Sequence, residues 1–439
     1  MKPLSETSRS IVAYKGYMSF LVQLTEALTG HREEGERTGV LVIQLSNLGR
    51  INTTSGYKRG HEASEEFGRK IKKMLRPGDW VSALSKDRFV LVLKGVKNAG
   101  HLMLAANRLV RFADSIPVSA DKSLIMEVRS GGAIFPEHGK TPEELLCNAE
   151  LAIESASQEG SIFAMYKPDR SQKITEDWEI EGRLAAAIED GEFELHYQPK
   201  IDARTLLPRG AEGLMRWNSP DFGDISTEHF IQIVENTDHI DAFTNHALHC
   251  AARDVSEWPR FAANMSVAIN LPPRLLEHGN IVTMFKHVAA IWSVDIERFT
   301  AEVTENGIMS TDGAALDVLQ QLRDNGIRVS IDDFGTGHSS LAYFKDIPAD
   351  EVKIDKSFVF HMLTNRAHYR LVRTIIDLAH GFGLDVVAEG VETKEIAEEL
   401  QKLGCDTLQG YYFSKPLSKR AFNDYLAAQD GSETAVLAR

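Results

Sequence analysis

The sequence predicts two domains, a ferredoxin-like α+β domain followed by a (β/α)8 barrel of the TIM type. Three observations carry this. The chain has 439 residues, more than one ordinary hydrophobic core serves. The first half interleaves helices with short strands, and one pair of strands reads as a hairpin. The second half repeats strands at intervals, nearly all separated by helical stretches, which is the arithmetic of a barrel.

Residues 1–34 read as a lead segment, helical over 8–28. Gly39 to Leu45 (GVLVIQL) is rich in branched side chains and predicts a strand. His61 to Leu75 predicts a helix, and Val81 to Leu93 (VSALSKDRFVLVL) a hairpin turning at Ser85 to Asp87. A helix over His101 to Asp114 and a strand over Ser123 to Phe135 follow. Thr141 to Gln158 predicts a helix with Thr141 as N-cap, Pro142 at the first helical position and Glu144 at the third. These elements make a domain over 35–166. The polar stretch 167–178 (KPDRSQKITEDW) reads as a linker. A helix from Glu179 to Glu189 leads into the second domain, 179–430, and 431–439 is a tail.

The barrel strands fall at 193–200, 209–217, 266–271, 299–304, 327–333, 350–355, 384–389 and 406–412. In such barrels the C-terminal ends of the strands carry the active site. Most of a set of polar residues falls there: Glu212, Asn270, Glu302, Asp332, Asp333 and Glu389, with Lys353 among them. Crowded carboxylates are costly unless cations hold them, and hard oxygen ligands suit Mg²⁺ or Mn²⁺. Two such ions with a water are an apparatus for cutting a phosphodiester.

Composition narrows the field. A net charge of −14 argues against a nucleic-acid polymer as partner, because tracking phosphates needs basic surface. It leaves room for a small anion bound through metals. Cys147, Cys250 and Cys405 lie far apart and form no CxxC, which fits a reducing cytosol and neither disulfides nor zinc. No apolar run approaches the roughly 20 residues of a membrane helix, and the N-terminus lacks a signal-peptide core. The expectation is a soluble, cytoplasmic protein with no membrane partner.

Asp332 and Asp333 are adjacent, so an ideal strand would point them to opposite faces. Gly335 and Gly337 follow at once and permit a turn that brings both to one ion pair. Alone, the two aspartates read equally as a solvated turn; the other strand-end acids favour a site. Lys353 on its strand is either a surface lysine or a cation in the acidic ring. In the ring it would bond the attacking water or offset charge on phosphorus. Arg216 is either a solvated strand-end cation or a bidentate phosphate contact. His338, beside the glycine turn, reads as a loop residue. No GxxxxGK[ST], GxSxG or HExxH pattern is present.

These residues closely resemble a known family. Segments 197–200 (YQPK), 210–217 (GAEGLMRW), 268–272 (AINLP), 301–305 (AEVTE), 331–341 (IDDFGTGHSSL), 350–356 (DEVKIDK), 387–393 (VAEGVET) and 404–416 (GCDTLQGYYFSKP) resemble the EAL phosphodiesterase domain. That family hydrolyses cyclic di-GMP to linear pGpG. The resemblance implies that Glu212, Asn270, Glu302 and Asp332 bind a first Mg²⁺ or Mn²⁺ ion. Asp332 would be shared with a second ion, bound also by Asp333 and Glu389. It implies that Lys353 contacts the nucleophilic water, that Glu389 stands at the second ion and its water with Gln409 helping to orient it, and that Glu305 steadies the loop after Asp333. Arg216, Leu214 and Gln198 would meet the substrate. A homodimer through the barrel and a role in biofilm-versus-motility control are further implications. The motif reads Glu212-Gly213-Leu214, with glycine for alanine, and His338 stands where tyrosine is usual. The alternative is a receptor that binds cyclic di-GMP without cutting it and signals through a protein partner. The occupation of every ligand position by the expected residue favours the enzyme.

The first half resembles a GGDEF domain, the diguanylate cyclase module, with degenerate chemistry. Its signature is Ser85-Lys86-Asp87-Arg88-Phe89, so side chains stand where two glycines normally approach GTP. Gln44 replaces a metal-binding aspartate, His61 a guanine-contacting aspartate, and Ser157 a phosphate lysine, while Asn52 is kept. The resemblance implies a domain without cyclase activity. Arg76 and Asp79 match an RxxD product-inhibition site, or else a helix-ending Pro-Gly turn. GTP or cyclic di-GMP is the ligand expected for this half.

Overall fold

The structure, a computed structural model, describes residues 7–29, 37–118, 124–277, 280–309, 313–336 and 346–436. The chain forms two compact units, Met1–Glu179 and Ile180–Arg439.

The first unit is built on a five-stranded sheet: β1 (Thr38–Leu45), β2 (Trp80–Ala83), β3 (Arg88–Lys94), β4 (Val128–Phe135) and β5 (Phe163–Met165), in the order β2-β3-β1-β4-β5. β1 runs antiparallel to both β3 and β4. Its unbroken apolar run serves two faces. Val40 and Val42 pack with Leu145, Ala149 and Ile153 of the helix Pro142–Gln158 and with Phe20 and Leu24 of the helix Thr7–Thr29. Leu41 and Ile43 pack with Phe67 and Ile71 of Tyr57–Met74 and Leu109 of Ala99–Asp114. The helix Pro142–Gln158 starts on a complete capping box of Thr141 and Glu144. It lies so close to β4 that a Cβ on Gly131 would meet Ala149 O at 2.1 Å.

Two predicted elements shift. The strand expected over Ser123 to Phe135 begins at Val128. The Asn47 carboxamide takes the backbone just before it, accepting from Glu127 N at 2.9 Å and donating to Ile125 O at 2.7 Å. A side chain that satisfies these groups removes them from the ladder. The polar stretch expected as a linker is helical, because one helix runs from Pro168 to Glu189. Proline is pre-organised for a first helical position and Asp169 suits the first turn.

In the second unit eight strands close a barrel: Phe193–Asp202, Pro208–Ser219, Ser266–Asn270, Phe299–Thr304, Arg328–Phe334, Glu351–Ile354, Asp385–Ala388 and Thr407–Leu408. The second to eighth run parallel, and the first is antiparallel to both its neighbours. This departs from an all-parallel barrel. The connection after Asp202 is a tight turn in which Asp202 Oδ1 accepts from Arg204 N and Thr205 N. A parallel crossover needs about a dozen residues or more, so a link this short makes a hairpin. The eighth strand is shorter than the predicted 406–412.

Alternation along these strands sorts the side chains. Ala211, Ile269, Val303, Ile331, Val352, Ala388 and Leu408 join the apolar core under the surrounding helices. Their neighbours in sequence, Glu212, Asn270, Glu302, Asp332, Lys353, Glu389 and Gln409, form the other, polar set. Among the described residues no helix is long and apolar enough to cross a membrane.

Candidate active site

Lys353 is the centre of the polar set. Only 1% exposed, its Nζ lies 2.7 Å from Glu389, 3.1 Å from Glu302, 3.1 Å from Asp332 and 3.5 Å from Glu212. Burial alone would lower its pKa, but these four carboxylates raise it well above the ordinary lysine value, so it is an ammonium. The surface-lysine alternative does not hold.

The carboxylates respond in opposite ways. Burial pushes Glu302 up, but Lys200 and Lys353 outweigh it and hold the carboxyl at about 2. Burial raises Glu212 above the usual range against the pull of Lys353, and the Glu302 and Asp332 charges add to the rise. Glu389 is raised too, by burial and by Asp332 and Glu212, although Lys353 opposes the shift. Glu212 and Glu389 thus lie on the side of the ring that the lysine charge does not fully offset.

Asp333 reaches the ring through a backbone irregularity. The register between the fifth and sixth barrel strands slips between Ile331 and Phe334, and Asp333 sits at φ 54°. Aspartate tolerates the left-handed region better than most residues. The slip breaks the strict alternation that would send the two aspartates apart. Asp333 N donates to Asp332 Oδ1 at 2.8 Å. Gly335 continues the turn at φ 92°, and its N–H donates to buried Glu305 at 2.8 Å. Gly337 and His338 lie outside the described residues.

Oxygen atoms of Glu212, Glu302 and Asp332 lie within 4.8 Å of one another, as do those of Asp332, Asp333 and Glu389. Two groups of hard donors sharing Asp332 fit two divalent cations. Four carboxylates contact the Lys353 ammonium and Asp333 stands beside them, an excess of negative charge that divalent cations would offset. Asn270 joins the first group by donating to Glu212 at 2.8 Å, and its carbonyl oxygen is the atom able to bind a hard cation. Gln409 Nε2 donates to Glu212 at 2.6 Å and to Gln198 at 3.2 Å. Its Oε1 is buried with no donor among the described residues, which leaves a place for a water or a substrate N–H or O–H.

Leu214 and Arg216 follow Glu212 at the two-residue spacing of one strand face. Arg216 is half-buried and donates to Thr227 Oγ1 at 2.9 Å and to Met215 O at 2.8 Å, outside the acidic ring. Gly213 points the other way, where a Cβ would meet Ile269 Cδ1 at 3.0 Å.

Three buried residues, unassigned by the sequence reading, stand behind the ring. Lys200 Nζ lies 2.9 Å from Glu302 Oε1 and 2.7 Å from Glu351 Oε1, and Ser330 Oγ donates to the same Glu351 oxygen at 2.9 Å. The signal available was spacing: Lys200, Ser330 and Glu351 each lie two residues from Gln198, Asp332 and Lys353, on the same strand faces.

In the first unit Ser85 and Lys86 form the hairpin turn, with Ser85 Oγ donating to Asp87 at 2.5 Å. Gln44 pairs with Arg88 across β1 and β3, His61 faces Glu65 at 3.4 Å, and Ser157 Oγ accepts from Arg129 at 3.1 Å. Asp79 closes the turn after the helix Tyr57–Met74 by accepting from Arg76 N at 3.2 Å and Lys94 N at 3.0 Å. Arg76 and Asp79 also line a cavity of about 240 Å³ with His101 and Arg108.

An eight-stranded barrel with an acidic ring around a buried lysine matches the family model described as EAL domain over residues 181–416. The chain belongs to that family. The model described as diguanylate cyclase, GGDEF domain, matches residues 17–162, so this is a tandem GGDEF–EAL chain. It is 30% identical over 397 residues to the bifunctional diguanylate cyclase/cyclic di-GMP phosphodiesterase MucR of Pseudomonas aeruginosa, covering 90% of this chain and 58% of that protein. It is 29% identical over 394 residues to the cyclic di-GMP phosphodiesterase PdeR of Escherichia coli, covering 89% and 59%. The solved PaMucR phosphodiesterase, a c-di-GMP complex, is 34% identical with a TM-score of 0.53, covering 56% of this chain and 99% of that one. The chain spans 47–59% of the length of the curated relatives it is compared with.

Proposed function

We propose that this chain hydrolyses cyclic di-GMP to linear pGpG at the barrel mouth, using two Mg²⁺ or Mn²⁺ ions. The observation that carries the reading is the pair of carboxylate groups sharing Asp332 around Lys353. Glu212, Asn270, Glu302 and Asp332 are the ligands of one ion, and Asp332, Asp333 and Glu389 those of the other. Divalent ions bound there supply a water of lowered pKa and screen charge on the phosphoryl oxygens.

The protein's own groups do the rest. Lys353, held by four carboxylates, presents a fixed positive charge to the attacking water and to charge growing on phosphorus. Gln409 fixes one Glu212 oxygen and Asn270 the other. Glu305 holds the Gly335 turn and with it the strained backbone of Asp333. In this reading Leu214 and Gln198 line the approach of the nucleotide, and Arg216 is the candidate bidentate donor to a phosphate.

We read the first unit as ferredoxin-like, because its strand order β2-β3-β1-β4 suits a βαββαβ plan with β5 added. We read this half as a regulatory, non-cyclising GGDEF domain, since Ser85, Lys86, Gln44, His61 and Ser157 occupy its chemical positions. The cavity beside Arg76 and Asp79 is its candidate site for GTP or cyclic di-GMP. Calorimetry on the full chain would show a second binding event that Arg76→Ala removes; identical isotherms refute that site. A homodimer through the barrel and a cytoplasmic location complete the reading.

The test is chromatography of cyclic di-GMP incubated with the full chain in Mg²⁺, in Mn²⁺ and in chelator. Metal-dependent pGpG is the expected result. Intact nucleotide in every condition, with binding retained, would make the chain a receptor.

A further inference from the structure

Lys200 is a buried charge that the hydrolytic reading does not use. Its residue is 4% exposed, and it enters the barrel from the first strand, two positions beyond Gln198. Its ammonium contacts one oxygen of Glu302 at 2.9 Å, while that of Lys353 contacts the other at 3.1 Å. Glu302 is therefore clamped at both oxygens. Glu351 anchors Lys200 at 2.7 Å, and Ser330 anchors Glu351 at 2.9 Å.

A buried ion pair is weak evidence of stabilisation, since apolar residues of similar volume often serve as well. What this chain of contacts does supply is orientation. A glutamate carboxylate turns freely about its last torsion unless both oxygens are held. Partners behind a metal ligand set its direction and basicity. Lys200 does so from the strand beginnings, where it lines a cavity of about 520 Å³ with Arg209, Gly210, Ser266, Arg328 and Glu351. That is the end opposite the acidic ring.

We propose that Lys200, backed by Glu351 and Ser330, is a positioning residue that fixes the Glu302 carboxylate as a ligand for a divalent cation. This rests on the reading of Glu302 as a metal ligand. Lys200 itself touches neither substrate nor the attacking water.

The test compares wild type, Lys200→Met and the pair Lys200→Met with Glu351→Gln, all in the full chain. The single change strands a buried carboxylate and can fail to fold. The pair removes one positive and one negative charge, so the net charge and volume behind Glu302 hardly change. Attraction for a cation is preserved and the clamp is lost. The measurements are melting in chelator, Mn²⁺ affinity by calorimetry, and kcat and KM for cyclic di-GMP. The double variant is expected to melt near wild type, to bind Mn²⁺ about 10–100-fold more weakly and to lose kcat by a similar factor. KM for the nucleotide should stay near the wild-type value. Wild-type Mn²⁺ affinity and kcat in the double variant would overturn the proposal, and so would failure of that variant to fold, which would make the contacts structural. A wild-type chain that binds no Mn²⁺ would instead remove the metal reading itself.

Discussion

Lys353 Nζ stands 2.7 Å from Glu389 Oε1, the shortest of its four carboxylate contacts. The pair joins the sixth barrel strand to the end of the seventh, so the ammonium lies where both candidate ion groups meet. Replacing it with an uncharged side chain of similar length should lower turnover by about 10²–10³-fold. Lys353→Met should also lower the melting point in chelator, because removing one partner of a buried ion set costs about 3–5 kcal/mol. Mn²⁺ should restore part of that loss by supplying the missing charge. Rates of pGpG formation and melting curves in both conditions check this; near-normal turnover would remove Lys353 from the machinery.

Metal and stability should be linked. An ion that binds only the folded chain stabilises it, by about 2.7 kcal/mol at a hundred times its dissociation constant. Scanning calorimetry should show the melting point rising with Mn²⁺ and falling back with chelator. Glu212→Gln should abolish most of that rise, since it removes a ligand charge from the first group. An unchanged metal response in this variant would mean that Glu212 holds no ion.

Gly213 gives an independent check of strand facing. Its φ is ordinary for a strand, and an added methyl would point away from Glu212, towards the mobile Cδ1 end of Ile269. Gly213→Ala should stabilise the fold by about 0.5–1 kcal/mol through lower unfolded-chain entropy, if Ile269 gives by a few tenths of an ångström. Turnover should not change. A large loss of activity would mean that the face assignment is wrong.

His138 is the titrating group to follow in the first unit. Its Nδ1 accepts from Ile134 N at 3.1 Å, which requires the unprotonated nitrogen. Burial lowers its pKa from the ordinary 6.5, while the Glu137 charge pulls it back. The neutral ring therefore contributes stability that is complete above 6.5 and is lost as pH falls through the depressed value. NMR titration should place the midpoint below that of a free histidine; a midpoint above it would contradict the bond to Ile134.

Much of this was legible in the chain. The capping box at Thr141 and Glu144 is local chemistry, settled by residues three apart. The barrel strands from Phe299 to Ala388 were readable because apolar and polar residues alternate under one short period. Asn270, Asp332 and Glu389 could be placed at or near strand ends for the same reason, whereas Glu212 lies within its longer strand. The helical conformation of 168–178 went unread because polar residues such as Glu, Lys and Gln form helices as readily as exposed loops. The first strand's direction turned on the shortness of the link to the second, which strand periodicity does not register.

By itself the sequence determined which residues share a strand face, because alternation is a property of the chain's own stereochemistry. It also determined the supply of hard oxygen donors and the two-domain order. Only the tertiary structure decided how the faces meet. Closure of the barrel places Lys200 against Glu302, 102 positions away, and Lys353 against Glu212, 141 positions away. The slip after Ile331 and the left-handed Asp333 turn two neighbouring aspartates towards a common site. Buried charges are settled by their partners across space, since in a low-dielectric interior the nearest opposite charge outweighs sequence neighbours. That is why Lys353 read as a surface residue or a catalytic one until the barrel was closed around it.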